Sequence, residues 1–229
     1  MKPRDLWTRG RLIARAAGTL LLIGWLAEGI ALAQDAGERY VVDPAASDLH
    51  WLVYKAGTLS RLGHNHTVAA GDLRGNVTVD TRDVAASKFE LEFSVGKLVV
   101  DDPMLRGTLG PEFASVPTAD DIAGTTKNML SDRVLDGDKH PRIRIVGTGP
   151  MGSGGEQALA VQVELLGRTV ALTVPTEVAI DGDELRATGE FELNHADLGM
   201  EPFSVMLGAL AVGEKLSFSY DVKARRDTR

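Results

Sequence analysis

The sequence predicts an all-β protein of about eight antiparallel strands, with one inserted helix and an N-terminal targeting segment. Three observations carry this. Apolar and polar residues alternate with period two through most of the chain after residue 39; a single stretch has helical spacing instead; and turn residues punctuate the apolar runs. Strands with one apolar and one polar face must close into a barrel or pack as a sandwich. Composition agrees: 44% hydrophobic and 25% charged residues make an ordinary globular chain. With 229 residues and no cysteine, it has the length to fold without a covalent staple and none to use. The missing thiols also exclude a disulfide framework, thiolate zinc sites, iron–sulfur clusters and a cysteine nucleophile. A net charge of −7 argues against a nucleic-acid partner, which would need a basic face.

The elements follow in chain order. Lys2, Arg4, Arg9, Arg11 and Arg15 precede the apolar run Ala16–Ala27, and Ala31-Leu32-Ala33 follows. That is the charged, apolar, A-x-A order of a secretory signal peptide. The apolar run is 12 residues, whereas a membrane span needs about 20. Residues 1–33 are therefore expected to be a signal peptide cleaved after Ala33, with residues 34–229 the periplasmic or secreted domain. Cleavage leaves 20 Lys+Arg against 30 Asp+Glu and no integral membrane span in the mature chain.

In the mature chain the alternation is clearest at Phe89, Leu91, Phe93 and Val95, and again at Leu216, Phe218, Tyr220 and Val222. Weaker versions run over Leu49–Tyr54, Leu73–Val79, Arg142–Val146, Ala158–Glu164, Thr169–Val178 and Leu185–Leu193. Asp43-Pro44, the segment Gly149–Gly155 and Asp181-Gly182-Asp183 supply the turns. The helix is expected over 119–136, with Thr118 as its N-cap, Asp120 and Asp121 in its first turn and Ile122, Met129 and Leu130 on one face. The preceding stretch, Val99–Pro117, reads as a long connection of the kind that often forms a binding loop. The helix itself is expected to cover one end of a barrel.

No catalytic constellation emerges. Gly152-Ser153-Gly154 lacks the nucleophile-elbow spacing, and no phosphate-binding glycine motif occurs. Asp101-Asp102 and Asp120-Asp121 read as solvated loop charges and helix-start charges. The one polar cluster of interest is Arg61–Thr67. If it enters a strand, His64 and His66 share a face at i, i+2, a spacing that suits two imidazoles on one metal. A third ligand would have to come from His195, His50 or a carboxylate. The pair reads first as a polar contact at a barrel mouth or to a ligand's head, with a metal site as the alternative.

Four blocks carry a resemblance to a known family. They are Tyr40-Val41-Val42-Asp43 with Ser47 and His50–Lys55; Met129–Asp136 with His140-Pro141-Arg142-Ile143; Val163–Val170; and Asp197-Leu198-Gly199-Met200 with Val212-Gly213-Glu214. In this order and spacing the chain resembles the YceI-like family of secreted bacterial proteins, which bind polyisoprenoid lipids in a lipocalin-like antiparallel β-barrel. The resemblance implies a barrel that holds a long-chain isoprenoid or similar amphiphilic lipid and catalyses nothing. The expected ligand-binding residues are Trp51, Val53, Phe89, Leu91, Phe93, Met129, Phe191 and Phe218, with His64 and His66 at the rim. No cofactor is expected, and a homodimer is allowed. The rival reading is a periplasmic metal- or haem-associated module built on His64 and His66. Two departures from the family stand near the barrel mouth: the Gly63-His64-Asn65-His66 run and extra residues over about Asp101–Asp120.

Overall fold

The computed structural model describes residues 37–228, so the targeting segment expected over 1–33 lies outside the described residues. The strands are β1 (Gly37–Val42), β2 (Asp48–Ala56), β3 (His66–Ala70), β4 (Arg74–Asp80), β5 (Lys88–Ser94) and β6 (Leu98–Val100). Then come β7 (Arg142–Thr148), β8 (Glu156–Leu165), β9 (Arg168–Asp181), β10 (Glu184–Asn194), β11 (Ser204–Val205) and β12 (Leu210–Arg226). Two helices, α1 (Pro103–Gly107) and α2 (Ala119–Leu130), lie between β6 and β7.

The strands form one antiparallel sheet in the order β1-β4-β5-β7-β8-β9-β10-β12, and β12 returns to β1 to close the ring. On the same edge of β12 the sheet continues through β2, β3 and β6. Each pair β1/β2, β3/β4 and β5/β6 is one strand bent in the middle, so the barrel has eight staves, the other five being β7, β8, β9, β10 and β12. The expected barrel is therefore the observed one.

The bends have local causes. Asp43 Oδ1 accepts from the backbone N–H of Ala45 and Ala46 and turns the chain after β1. Asp72, in the second bend, accepts from the Ser94 N–H at 2.8 Å and the Ser94 hydroxyl at 2.6 Å, tying the second bend to the third. Gly71 is required there: a Cβ would stand 2.3 Å from the Lys97 carbonyl oxygen. Leu166 and Gly167 both have positive φ (53° and 70°), making the two-residue turn that joins β8 to β9.

The alternation sorts the faces. Leu91, Phe93, Leu216 and Val222 are buried among the core, with Phe89, Phe218 and Tyr220 packed against it. Outward-facing charges pair across strands, as Arg144 does with Glu90 (2.7 Å) and Glu164 (2.8 Å).

Two expectations need correction. The helix ends at Leu130, not at Asp136, because Ser131 is already extended (ψ 165°). Residues 131–137 instead make a turn in which Asp136 N–H returns to the Ser131 carbonyl and Gly137 N–H to that of Leu130. This turn buries Leu135, and tertiary burial outweighs the propensity to continue the helix. Nor is Val99–Pro117 an irregular loop, since it contains the end of β6, all of α1 and a 3-10 turn at Pro111–Phe113 whose Phe113 is buried. Thr118 caps α2 as expected: its hydroxyl accepts from Asp121 N–H while the Asp121 carboxylate accepts from Thr118.

Candidate functional site

The inward faces of the eight staves enclose an apolar cavity of about 400 Å³. A packed core was the alternative that period-two alternation could not separate from this; the interior is hollow. The walls are set by which residues sit inward. Trp51 on β2 lies 5.9 Å from Phe218 on β12 and 6.4 Å from Phe93 on β5, and Phe191 on β10 stacks on Phe218 at 5.1 Å with ring planes 6° apart. Phe89 lies over Gly147, its register partner on β7, where a Cβ would come within 2.3 Å of its ring. The aromatic wall thus depends on one residue that has no side chain.

Polar groups inside this wall are few and paired. The Tyr220 hydroxyl donates to the Pro175 carbonyl at 2.8 Å and meets the Thr176 hydroxyl at 2.7 Å. Burial pushes the Tyr220 phenol above its ordinary value, so it stays neutral.

The open end is different. β3 starts only at His66, so the shared strand face expected for His64 and His66 does not arise; His64 precedes the strand. Both imidazoles nevertheless face the cavity, edge to face with ring centres 6.2 Å apart. His66 Nδ1 is 2.6 Å from Asp101 Oδ2, and its Nε2 is 3.4 Å from the Thr125 hydroxyl of α2. His64 Nδ1 is 3.3 Å from the Ser115 hydroxyl, and its Nε2 is 3.7 Å from Asp121 Oδ2. The two histidines therefore join β3 to the helix and loop that lie over the mouth.

Asp101 overturns its reading as a solvated loop charge. Its side chain is fully buried, and it ion-pairs with Arg106 at 2.6 Å. It also accepts from the Thr67 N–H at 2.9 Å. Burial opposes ionisation of this carboxyl, but the hydrogen bonds from His66, Thr67 and Arg106 outweigh it and hold the group below the usual carboxylate range. Arg106 spends its remaining donors on the carbonyls of Asn65 (2.8 Å), Phe113 (2.9 Å) and Ser115 (2.7 Å). One guanidinium thus fixes both segments that carry the polar rim. Asp102 is the N-cap of α1, accepting from Met104 and Leu105 N–H.

All ten residues expected to bind ligand line the cavity: Trp51, Val53, His64, His66, Phe89, Leu91, Phe93, Met129, Phe191 and Phe218. Sequence reasoning missed Asp101 and Arg106. The signal for Asp101 was slight, an acid directly after the buried alternation of Leu98 and Val100; for Arg106 there was none. Among the described residues, no three His, Asp or Glu side chains group as a metal site. Of the candidate third ligands, His195 Nδ1 is engaged with the Glu214 carbonyl at 2.8 Å and His50 with Asp48, while two carboxylates, Asp101 and Asp121, do stand beside the pair.

Comparison with known proteins places this geometry. The chain is similar in fold to Burkholderia cenocepacia BcnA, with a TM-score of 0.58 at 14% identity over 80% of this chain and 98% of that one. It is also similar to a polyisoprenoid binding domain from Saccharophagus degradans implicated in plant cell wall breakdown, with a TM-score of 0.55 at 11% identity over 82% of this chain and 98% of that one. No curated protein sequence matches the chain. The model of the YceI-like domain matches residues 40–224, from the first buried tyrosine of β1 to the last buried alanine of β12, and the chain belongs to the YceI-like family.

Proposed function

We propose that this protein binds and carries a long-chain isoprenoid or a similar amphiphilic lipid, without catalysis, after export to the periplasm or the cell exterior. The observation that carries the reading is the apolar cavity of about 400 Å³, walled by aromatic and aliphatic side chains from every stave. Each buried CH₂ contributes about 0.8 kcal/mol, so one isoprene unit is worth on the order of 3–4 kcal/mol. A few units then exceed association costs of roughly 4–15 kcal/mol. Binding of this kind needs no charge on the cavity wall. The binding domain from Saccharophagus degradans supports the same ligand class.

In this reading Trp51, Phe93, Phe191 and Phe218 contact the chain of the lipid, and His64, His66 and Thr125 meet its polar head. Met129 covers the chain from α2. A single signal peptide over 1–33 delivers the domain, and a homodimer is compatible with carriage by each copy.

Trp51 provides the test, being the sole tryptophan after residue 33. Native mass spectrometry of the protein from its own host should show a lipid-sized adduct. Titration of the stripped protein with a long-chain prenol should then shift Trp51 emission saturably. A bare chain together with an unresponsive Trp51, for a prenol and a fatty acid alike, would overturn the reading.

A further inference from the structure

Among the described residues, the five most exposed large apolar side chains are Leu62, Met104, Val116, Met206 and Leu207, at 68–109% exposure; the next three reach only 41–44%. All five stand on three segments, residues 57–65, 103–118 and 204–210, and these segments are joined to one another. Leu59 N–H donates to the Ala209 carbonyl at 2.8 Å. Arg106 holds the carbonyls of Asn65 and Ser115, and His64 meets the Ser115 hydroxyl. Gly63, His64, Val205 and Leu210 line the cavity, so the first and last of these segments border its open end and the middle one is tied to them there.

Charge is low on these segments themselves, with Lys55 on the Gly63 carbonyl, Arg133 on the Ser204 carbonyl and Asp121 beside His64 at their border. The three segments carry Arg61, Arg106 and Glu112 and no other Lys, Arg, Asp or Glu, and Arg106 is buried against Asp101. At the tip of the last segment Met206 and Leu207 have positive φ (52° and 56°), a backbone that suits glycine, yet two large apolar residues occupy it and point into solvent. The opposite end of the barrel has nothing comparable, its most exposed large apolar side chains, Val41 and Val84, reaching 44% and 43%.

We infer that this rim docks on a lipid bilayer, setting Leu62, Val116, Met206 and Leu207 into the boundary between head groups and acyl chains. The inference rests on the carrier reading for its purpose: an apolar chain then moves between bilayer and cavity without crossing water. The exported domain, with 20 Lys+Arg against 30 Asp+Glu, has no net attraction to anionic lipid, so the contact is apolar, forms on neutral phosphatidylcholine and changes little with salt.

The absence of cysteine makes the test direct, since a single introduced thiol can be labelled alone. In the protein as exported, residues 34–229, Leu207→Cys, Val116→Cys and Val84→Cys each carry an environment-sensitive fluorophore and are mixed with phosphatidylcholine vesicles. The labels at 207 and 116 should brighten several-fold and the label at 84 should not. An equal response at 84 and 207, or none at any position, overturns the proposal. In a second measurement, the Leu207→Asp/Val116→Asp double variant should take up prenol from vesicles roughly tenfold more slowly, because two apolar anchors have become charged. Its uptake of detergent-delivered prenol should match that of the unmodified chain. Unslowed vesicle uptake overturns the docking role. If the unmodified chain takes up no prenol even from detergent, the carrier reading fails, and the fluorophores still decide the bilayer contact.

Discussion

The two ends of the barrel are closed by different physics. At one end the ladder is continuous: Leu185 of β10 and Ala224 of β12 are register partners, and the other edge of the same stretch of β12 pairs with β1. Tyr40, Val79, Leu185, Val222 and Ala224 are buried there, and Met151 from the β7–β8 turn is buried with them. At the other end β6 pairs with β3 alone, while β7 pairs with β5 and β8, so the wall is open between β6 and β7. Here α1, α2 and the 57–65 segment are held by side chains: the Asp101–Arg106 pair, the carbonyls it grips, and the two histidines. Aliphatic closure is graded, since each methylene adds a little. Closure by a buried ion pair is close to all-or-none, because removing one partner leaves the other charge buried. The open end, where the proposed ligand would enter, has the second kind.

The largest effect expected is at the open end. Asp101→Ala leaves the Arg106 guanidinium buried without its counter-charge and should cost about 3–5 kcal/mol. Denaturant unfolding gives the magnitude, and hydrogen exchange gives the place. Faster exchange confined to β6, α1 and residues 57–65 would show a mouth that opens separately; uniform loss across all staves would make the two ends one cooperative unit. Leu185→Ala is the counterpart at the closed end, costing about 2–5 kcal/mol through the cavity it leaves. Its exchange pattern should be global, because β10, β12 and β1 are the links that close the ring of eight staves. Local exchange there would break the comparison.

Acid sharpens it. Asp101 is held below the usual carboxylate range, so its contribution is complete above about pH 4, the ordinary aspartate value, and is lost as pH falls through the depressed one. The unmodified protein should therefore lose stability between pH 4 and more acid conditions more steeply than Asp101→Asn, measured by thermal melts. Parallel pH profiles would remove Asp101 from the account. The smallest effect belongs to Thr118→Ala, which deletes the capping box of α2 and should cost about 1 kcal/mol. Because α2 has no fully buried residue, that loss should be read as faster exchange within 119–130 with little change in the melting temperature.

Much of this molecule was legible in its sequence because side-chain alternation is a local property. Phe89, Leu91 and Phe93 report their face without reference to any other strand, as do Phe218 and Tyr220, and the turn at Asp181-Gly182-Asp183 reports itself through glycine. Block order carried the family, and so the barrel. The helix start was equally local, Thr118 and Asp121 being three residues apart; its end was not, because Leu135 finds its burial in distant strands. Whether the barrel is hollow is a matter of volume left after eight staves meet, which no window of sequence contains. The buried pair lay furthest from sequence reasoning. Asp101 and Arg106 are five residues apart and look like any two surface charges. Their burial is decided by Thr67, His66, Asn65 and Phe113, brought from other segments, and only that assembled set of donors and acceptors makes a charge stable away from water. The sequence by itself therefore determined the strands, their faces and the capped helix start, since each depends on neighbours along the chain; the tertiary structure alone decided the cavity and the ion pair at its mouth, since volume and desolvation depend on neighbours in space.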